Sequence, residues 1–191
     1  MAVQDMAVTL VRKRWTFDEY EKMIEAGVLT RDDRVELIRG EIVEMAAIGP
    51  RHMTCVILFH EALYDVLGKS VLVSTQNAIR LPGDSVPEPD IAVLKRRPEI
   101  YARQLPSVDD VLLVVEVADS TLKSDREVKV PLYAEAGIAE VWLVNLEADT
   151  VEVYSQPVDG RYESKRVVTR DEKIAVPGST NGEINLDSVM P

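Results

Sequence analysis

One acidic residue inside a long apolar run constrains this chain more than any other feature. Val111-Leu112-Leu113-Val114-Val115-Glu116-Val117-Ala118 is otherwise wholly apolar. Its length and β-branched content are those of a strand buried on both faces. Desolvating an ionised carboxylate there is costly even after the surroundings relax. Glu116 must therefore be protonated, be paired, or hold a cation.

The flanking segments say what kind of sheet this strand joins. Ser124-Asp125-Arg126-Glu127 has the form of a capping box and predicts a helix to about Ala136, with Gly137 as its stop. Pro131 falls inside that helix and should kink it or delay its regular part. Ala139 to Leu146 reads as a second, nearly continuous apolar strand. Two buried strands joined through a helix form a crossover unit, so the predicted fold is α/β with a mixed sheet.

Upstream, Thr16-Phe17-Asp18-Glu19 is another capping box and predicts a helix from about Phe17 to Ala26. Val35 to Ala46 reads as a hairpin around Arg39-Gly40. Pro50 opens a helix to about Leu67, with an apolar stripe of Met53, Val56, Ile57, His60, Leu63, Tyr64 and Leu67. Ser70 to Leu81 reads as one long strand, straight or bent, and Pro89 to Leu94 as a short one, followed by a polar connection to Asp110. Downstream, Val151 to Tyr154 and Tyr162 to Thr169 form a hairpin across Asp159-Gly160, and short apolar pieces lie at Ile174 to Val176 and Ile184 to Leu186.

Bulk properties exclude several classes. A chain of 191 residues suggests one domain with a sizeable core. Cys55 is the sole cysteine, so no intramolecular disulfide is possible, which fits a reducing compartment. Met1 to Trp15 lacks a signal-peptide pattern, because Ala7 to Val11 is too short an apolar piece. No stretch approaches the roughly 20 apolar residues of a membrane span. The expected location is cytoplasmic. The net charge of −11 argues against non-specific nucleic-acid binding over the whole surface. A nucleic-acid enzyme with this balance needs a local basic patch and carries part of its acidity in the active site.

Asp90, at the start of one strand, and Glu116, near the end of the next, could meet if those strands are adjacent. At about 4 Å and an effective dielectric near 20, two such charges repel by about 4 kcal/mol. A proton or a cation between them relieves this. Two carboxylates, a backbone carbonyl (that of Val117) and waters suit Mg²⁺ or Mn²⁺. With His52 and His60 the only histidines and no cysteine cluster, a dedicated zinc site is not expected. On the following helix Asp125, Lys129 and Tyr133 fall at i, i+4 and i+8, one stripe. If it faces the sheet end, Lys129 reaches the carboxylates, where an ammonium can position a water or stabilise phosphorane charge.

These residues carry a resemblance. An Asp, then a Glu within an apolar strand, inside a helix-strand-strand-strand-helix-strand core, resembles the PD-(D/E)XK nuclease superfamily. In particular the chain resembles its bacterial Uma-type restriction endonuclease family. The matching stretches are Val35 to Ile42, Pro87 to Val93, Leu113 to Val117, Lys129 to Tyr133 and Gly137 to Val144. The resemblance runs from about Trp15 to Asp187. It implies a restriction-endonuclease-like domain with a core at about 34–146 and a C-terminal β extension at about 149–187, and a Mg²⁺- or Mn²⁺-dependent nuclease acting on DNA. Asp90 and Glu116 match the metal-binding carboxylates. Two residues after Glu116, where the superfamily has lysine, stands Ala118; Lys129 is the position that supplies the lysine in this family. Glu36 matches a family glutamate, and Gln76 lies where such folds add a polar site residue.

Other candidates are read from position alone. His52, at a helix N-terminus, either caps it or lines the cleft. His60, Trp142 and Tyr133 read as core. Lys95-Arg96-Arg97 with Arg103 is the best candidate for phosphate contacts, and Arg12-Lys13-Arg14 is a second basic cluster. A homodimer fits an enzyme that cuts two strands. Two alternatives stay open: a nuclease fold that no longer cleaves and serves as a binding module, and a metal-dependent hydrolase of a smaller phosphoester.

Overall fold

The computed structural model describes residues 11–30 and 32–191. The apolar piece weighed above as a signal segment lies mostly outside the described residues. Helix α1 (Phe17–Glu25) starts at the Thr16–Glu19 capping box, and hairpin β1 (Val35–Ile38)/β2 (Glu41–Glu44) follows. Arg39 and Gly40 both take positive φ in the two-residue loop of that hairpin, the geometry a tight antiparallel turn needs. Helix α2 (Pro50–Leu67) then leads into β3 (Val71–Thr75), β4 (Ile91–Lys95) and β5 (Val111–Ala118).

A helical connection of three contiguous pieces leaves β5: α3 (Leu122–Ser124), a π-helical stretch (Asp125–Lys129) and α4 (Val130–Ala136). It returns to β6 (Glu140–Asn145), and a long hairpin of β7 (Thr150–Val158) and β8 (Arg161–Thr169) completes a six-stranded sheet in the order β3-β4-β5-β6-β7-β8. Only β5–β6 is parallel, as the crossover requires; the other pairs are antiparallel. A small hairpin of β9 (Lys173–Ala175) and β10 (Glu183–Asn185) ends the chain.

The sheet is covered on both faces. On one face Val93, Val115 and Trp142 pack with Phe59 and Leu63 of α2 and with the C-terminal segment; on the other Leu94, Val114 and Leu143 pack with Leu132 and Tyr133 of α4. No helix among the described residues is long and apolar enough to cross a membrane.

Three local expectations are corrected. The strand predicted over Ser70 to Leu81 stops at Thr75, because Gln76 takes φ 51 and turns the chain. The buried face of α2 is Cys55, Val56, Phe59, Leu63 and Leu67, while Met53, Ile57 and Tyr64 lie exposed. This helix is apolar on more than one side, and Phe59, edge-on to Trp142 at 6.4 Å, faces the sheet. Ser124 does not cap: it is already helical, and Thr121, one turn earlier, donates its hydroxyl to Asp125 at 2.5 Å. The wide π turn sits just before Pro131, whose missing N–H would break a regular ladder. Val130 N–H instead reaches back five residues to the carbonyl of Asp125.

Candidate active site

Antiparallel pairing of β4 and β5 builds the site. Ile91 pairs with Val115, so the next step along the register sets Asp90 opposite Glu116 on the same face of the sheet. One step further, Val117 lies opposite Pro89, which has no N–H to offer the Val117 carbonyl. Val117 N–H is taken by Asp90 Oδ2 at 2.8 Å, and the same oxygen lies 3.1 Å from His52 Nε2 at the first turn of α2. Hydrogen bonding to Asp90 raises the His52 pKa against the opposing effect of burial.

Glu116 is 2% exposed. Its Oε1 accepts the Tyr133 hydroxyl at 2.5 Å and lies 3.3 Å from Lys129 Nζ. Lys129 is also 3.3 Å from Glu36 Oε2, which accepts the backbone N–H of Glu88 at 3.2 Å. Asp125, Lys129 and Tyr133 thus share one face, as their spacing predicts, with the π turn between the first two.

Burial pushes the Glu116 carboxyl up to about 8; Asp90 and Asp125 add to this, and Lys129 and Tyr133 oppose it. Burial alone would lower the Lys129 pKa, but Glu116, Glu36, Asp125 and Asp90 hold it above the ordinary lysine value, so it stays charged. Asp125 is raised chiefly by burial, and Glu88 by burial and Glu36.

These groups line a cavity of about 470 Å³. Among the described residues, Glu36, Glu44, Glu88, Asp90, Glu116, Asp119 and Asp125 face it against two permanent cations, Arg34 and Lys129. A divalent cation fits this donor set. Asp90 Oδ1 and Glu116 Oε2 accept no hydrogen bond among the described residues, and the Val117 carbonyl has lost its ladder partner. Surplus negative charge surrounds them. Among the described residues no three His, Cys, Asp or Glu side chains form a metal cage. Two carboxylates, a carbonyl and waters are the ligation that Mg²⁺ accepts.

The remaining sequence candidates divide. Gln76 lines the cavity, exposed, with its N–H on the Asp90 carbonyl at 3.1 Å. His60 lies half-buried on α2. Lys95 sits at the far end of β4, roughly 17 Å from Asp90 at about 3.4 Å per residue. Arg96 is held by the carbonyls of Lys69 and Val71, Arg97 pairs with buried Asp110, and Arg103 is exposed. In the other cluster Lys13 pairs with Glu19 and Arg14 with Glu41.

Ala118 is buried in the core beside the site, which leaves its position without a cation; Lys129 reaches Glu116 from the next element. Tyr133 is core, as its sequence predicts, yet its hydroxyl belongs to the site. The i+8 spacing from Asp125 was the signal for that. Glu88 and Asp119 carried no signal, since loop acids look alike in sequence.

The fold is that of a nuclease-type domain. The family model described as "Uma2: Putative restriction endonuclease" matches residues 17–187, and the chain belongs to that family. Among solved structures, the fold is similar to a "putative nuclease belonging to DUF820" from Anabaena variabilis. That match has TM-score 0.73 and 17% identity, and covers 92% of this chain and 97% of the other. No curated protein matches the chain.

Proposed function

We propose that this protein is a Mg²⁺- or Mn²⁺-dependent endonuclease that hydrolyses DNA phosphodiester bonds, acting as one restriction-endonuclease-like domain. The observation that carries this reading is the register of β4 on β5, which sets Asp90 opposite Glu116 with Lys129 3.3 Å from the latter. Asp90, Glu116 and the Val117 carbonyl would hold the ion. The chemistry such an ion supplies is polarisation of a phosphoryl oxygen and acidification of a bound water.

The chain's own groups do the rest. Glu36 and Glu116 hold Lys129 charged at the cleft floor, where its ammonium stabilises the charge that develops on the phosphoryl oxygens. His52 and the Val117 N–H fix one oxygen of Asp90, which would leave the other free to ligate an ion. Water forms a new bond to phosphorus, the bond from phosphorus to one ester oxygen breaks, and that oxygen leaves with a proton. Gln76 at the cleft edge, and Lys95 and Arg103 further out, are candidate substrate contacts.

The acidic cavity also supports a second reading, hydrolysis of a smaller phosphoester. Ala118, in place of the superfamily lysine, supports a third, a binding module that does not cleave. Cleavage of DNA, supplied both as a plasmid and as a single strand, with Mg²⁺ or Mn²⁺ tests the first reading against both. Wild type should cleave at least one of the two forms, and Glu116→Ala and Lys129→Ala should cleave neither. Cleavage that survives both substitutions sinks the mechanism. Hydrolysis of bis(p-nitrophenyl) phosphate without cleavage of either DNA form favours the smaller substrate, and neither activity favours the binding module. A homodimer belongs to this reading too, with size-exclusion and light scattering as its check.

A further inference from the structure

Three properties of the cleft bear on the form of DNA it admits. The first is depth. Glu116, Glu36 and Asp125 are buried, and the Lys129 side chain is only 14% exposed, so a phosphodiester must enter the cavity to reach them. A continuous duplex keeps its phosphates on the outside of a wide cylinder and cannot enter without being unstacked, which costs a few kcal/mol.

The second is wall chemistry. Val43, Ile48 and Val128, from three different segments, stand 39%, 37% and 37% exposed while lining the same cavity. Exposed aliphatic side chains in a cavity suit the flat face of an unstacked base, which apolar side chains pack against. The volume of about 470 Å³ lies within the range of small-ligand pockets.

The third is the scarcity of cations. Among the described residues, Arg34 and Lys129 are the lysine and arginine side chains that line the cleft. Arg96 and Arg97 are committed to Lys69, Val71 and Asp110, at the other end of β4. A duplex tract needs several phosphate contacts along two backbones, and the described residues of this cleft offer no such track.

We infer that the site acts on single-stranded DNA, taking one unstacked nucleotide with its base against Val43, Ile48 and Val128 and its phosphate beside Lys129 at the Asp90–Glu116 end of the cavity. This deepens the phosphodiesterase reading and rests on it.

The test measures Mn²⁺-dependent hydrolysis of an oligonucleotide, alone and annealed to its complement. Fluorescence anisotropy with Ca²⁺ in place of Mn²⁺ measures binding of the uncut strand to wild type, Val43→Glu and Val128→Glu. The free strand should be cut at least about tenfold faster than the duplex, equivalent to 1.36 kcal/mol at the barrier. Each variant, folded by circular dichroism, should bind the strand at least about fivefold more weakly; two positions are probed so that one misfolded variant does not decide the outcome. A duplex cut as fast as the free strand, or undiminished binding by the folded variants, overturns the inference and leaves the phosphodiesterase reading standing. No cleavage of either form overturns both.

Discussion

Two buried carboxylates on the same face of the sheet meet opposite fates. Glu116 and Glu152 are 2% and 7% exposed, and each accepts a tyrosine hydroxyl at 2.5 Å, from Tyr133 and Tyr154 respectively. Glu152 also receives both nitrogens of the Arg126 fork at 3.1 and 2.7 Å, and Lys165 at 3.1 Å. Burial would raise its pKa, but Arg126, Tyr154 and Lys165 hold it down at about 2. Among the described residues Glu116 shares one cation, Lys129, with Glu36, faces Asp90 and Asp125, and is pushed up to about 8. Burial of an acid is therefore not the mark of a site in this molecule. The mark is burial with too few cations: Glu152 is a completed structural joint, and Glu116 is a joint with a charge missing.

Substitutions at the two positions should diverge, most of all in activity. Glu116→Gln or Asp90→Asn should reduce metal-dependent hydrolysis by at least about 10³-fold, the scale of losing a principal electrostatic element. Glu152→Gln should leave the rate within about twofold, equivalent to a few tenths of a kcal/mol. Equal losses at both positions would erase the distinction.

Lys129→Ala should rank next. It leaves Glu116 and Glu36 facing each other without their cation, at a cost of about 3–5 kcal/mol by denaturant melts. A divalent ion should restore part of that stability if the cluster is a cation site, and none if Lys129 is only a structural partner.

The pH dependence of stability should differ in sign. The folded value of Glu152 lies below the ordinary 4.5, so its contribution is complete above that pH and is lost as pH falls toward about 2. Glu152→Gln should cost about 2 kcal/mol near neutrality and progressively less in acid. Glu116 is raised, so between 4.5 and about 8 the folded state holds its proton more tightly than the unfolded chain, and stability falls as pH rises through that window. Lys129 stays charged across it and adds no slope. Glu116→Gln should therefore flatten the upper slope in thermal melts taken at a series of pH values, whereas Glu152→Gln should flatten the acid slope.

The smallest expected effect comes from the two tyrosines. Tyr154→Phe and Tyr133→Phe each remove one hydrogen bond to a buried carboxylate, worth about 1.5–3 kcal/mol when charged. Only Tyr133→Phe should also weaken Mn²⁺ binding, because its hydroxyl fixes the Glu116 carboxylate that would ligate the ion. A loss of Mn²⁺ affinity in Tyr154→Phe would blur the contrast.

Much of this was readable in the sequence where one local signal decided the outcome. The Val111–Ala118 strand, the crossover to β6 and the Arg39-Gly40 and Asp159-Gly160 hairpins each rest on apolar periodicity or a turn residue. So does the facing of Asp125, Lys129 and Tyr133. What could not be read depends on tertiary choice. Helix α2 has apolar residues on more than one side, and only the sheet selects the Phe59 row. The helix start moved from Ser124 to Leu122 because Thr121 and a π turn offered a better solution around Pro131. Glu152 carried no signal at all, since an acid in an alternating strand looks solvated until Arg126 and Lys165 cover it.

The central claim is that Glu116 lacks a cation which Glu152 already has. Isothermal titration of Mn²⁺ into wild type, Glu116→Gln and Glu152→Gln tests it most directly. Saturable binding to wild type and Glu152→Gln, with affinity lost by at least about tenfold in Glu116→Gln, is the predicted result. Binding that survives Glu116→Gln unchanged, or no binding to wild type, would contradict the account.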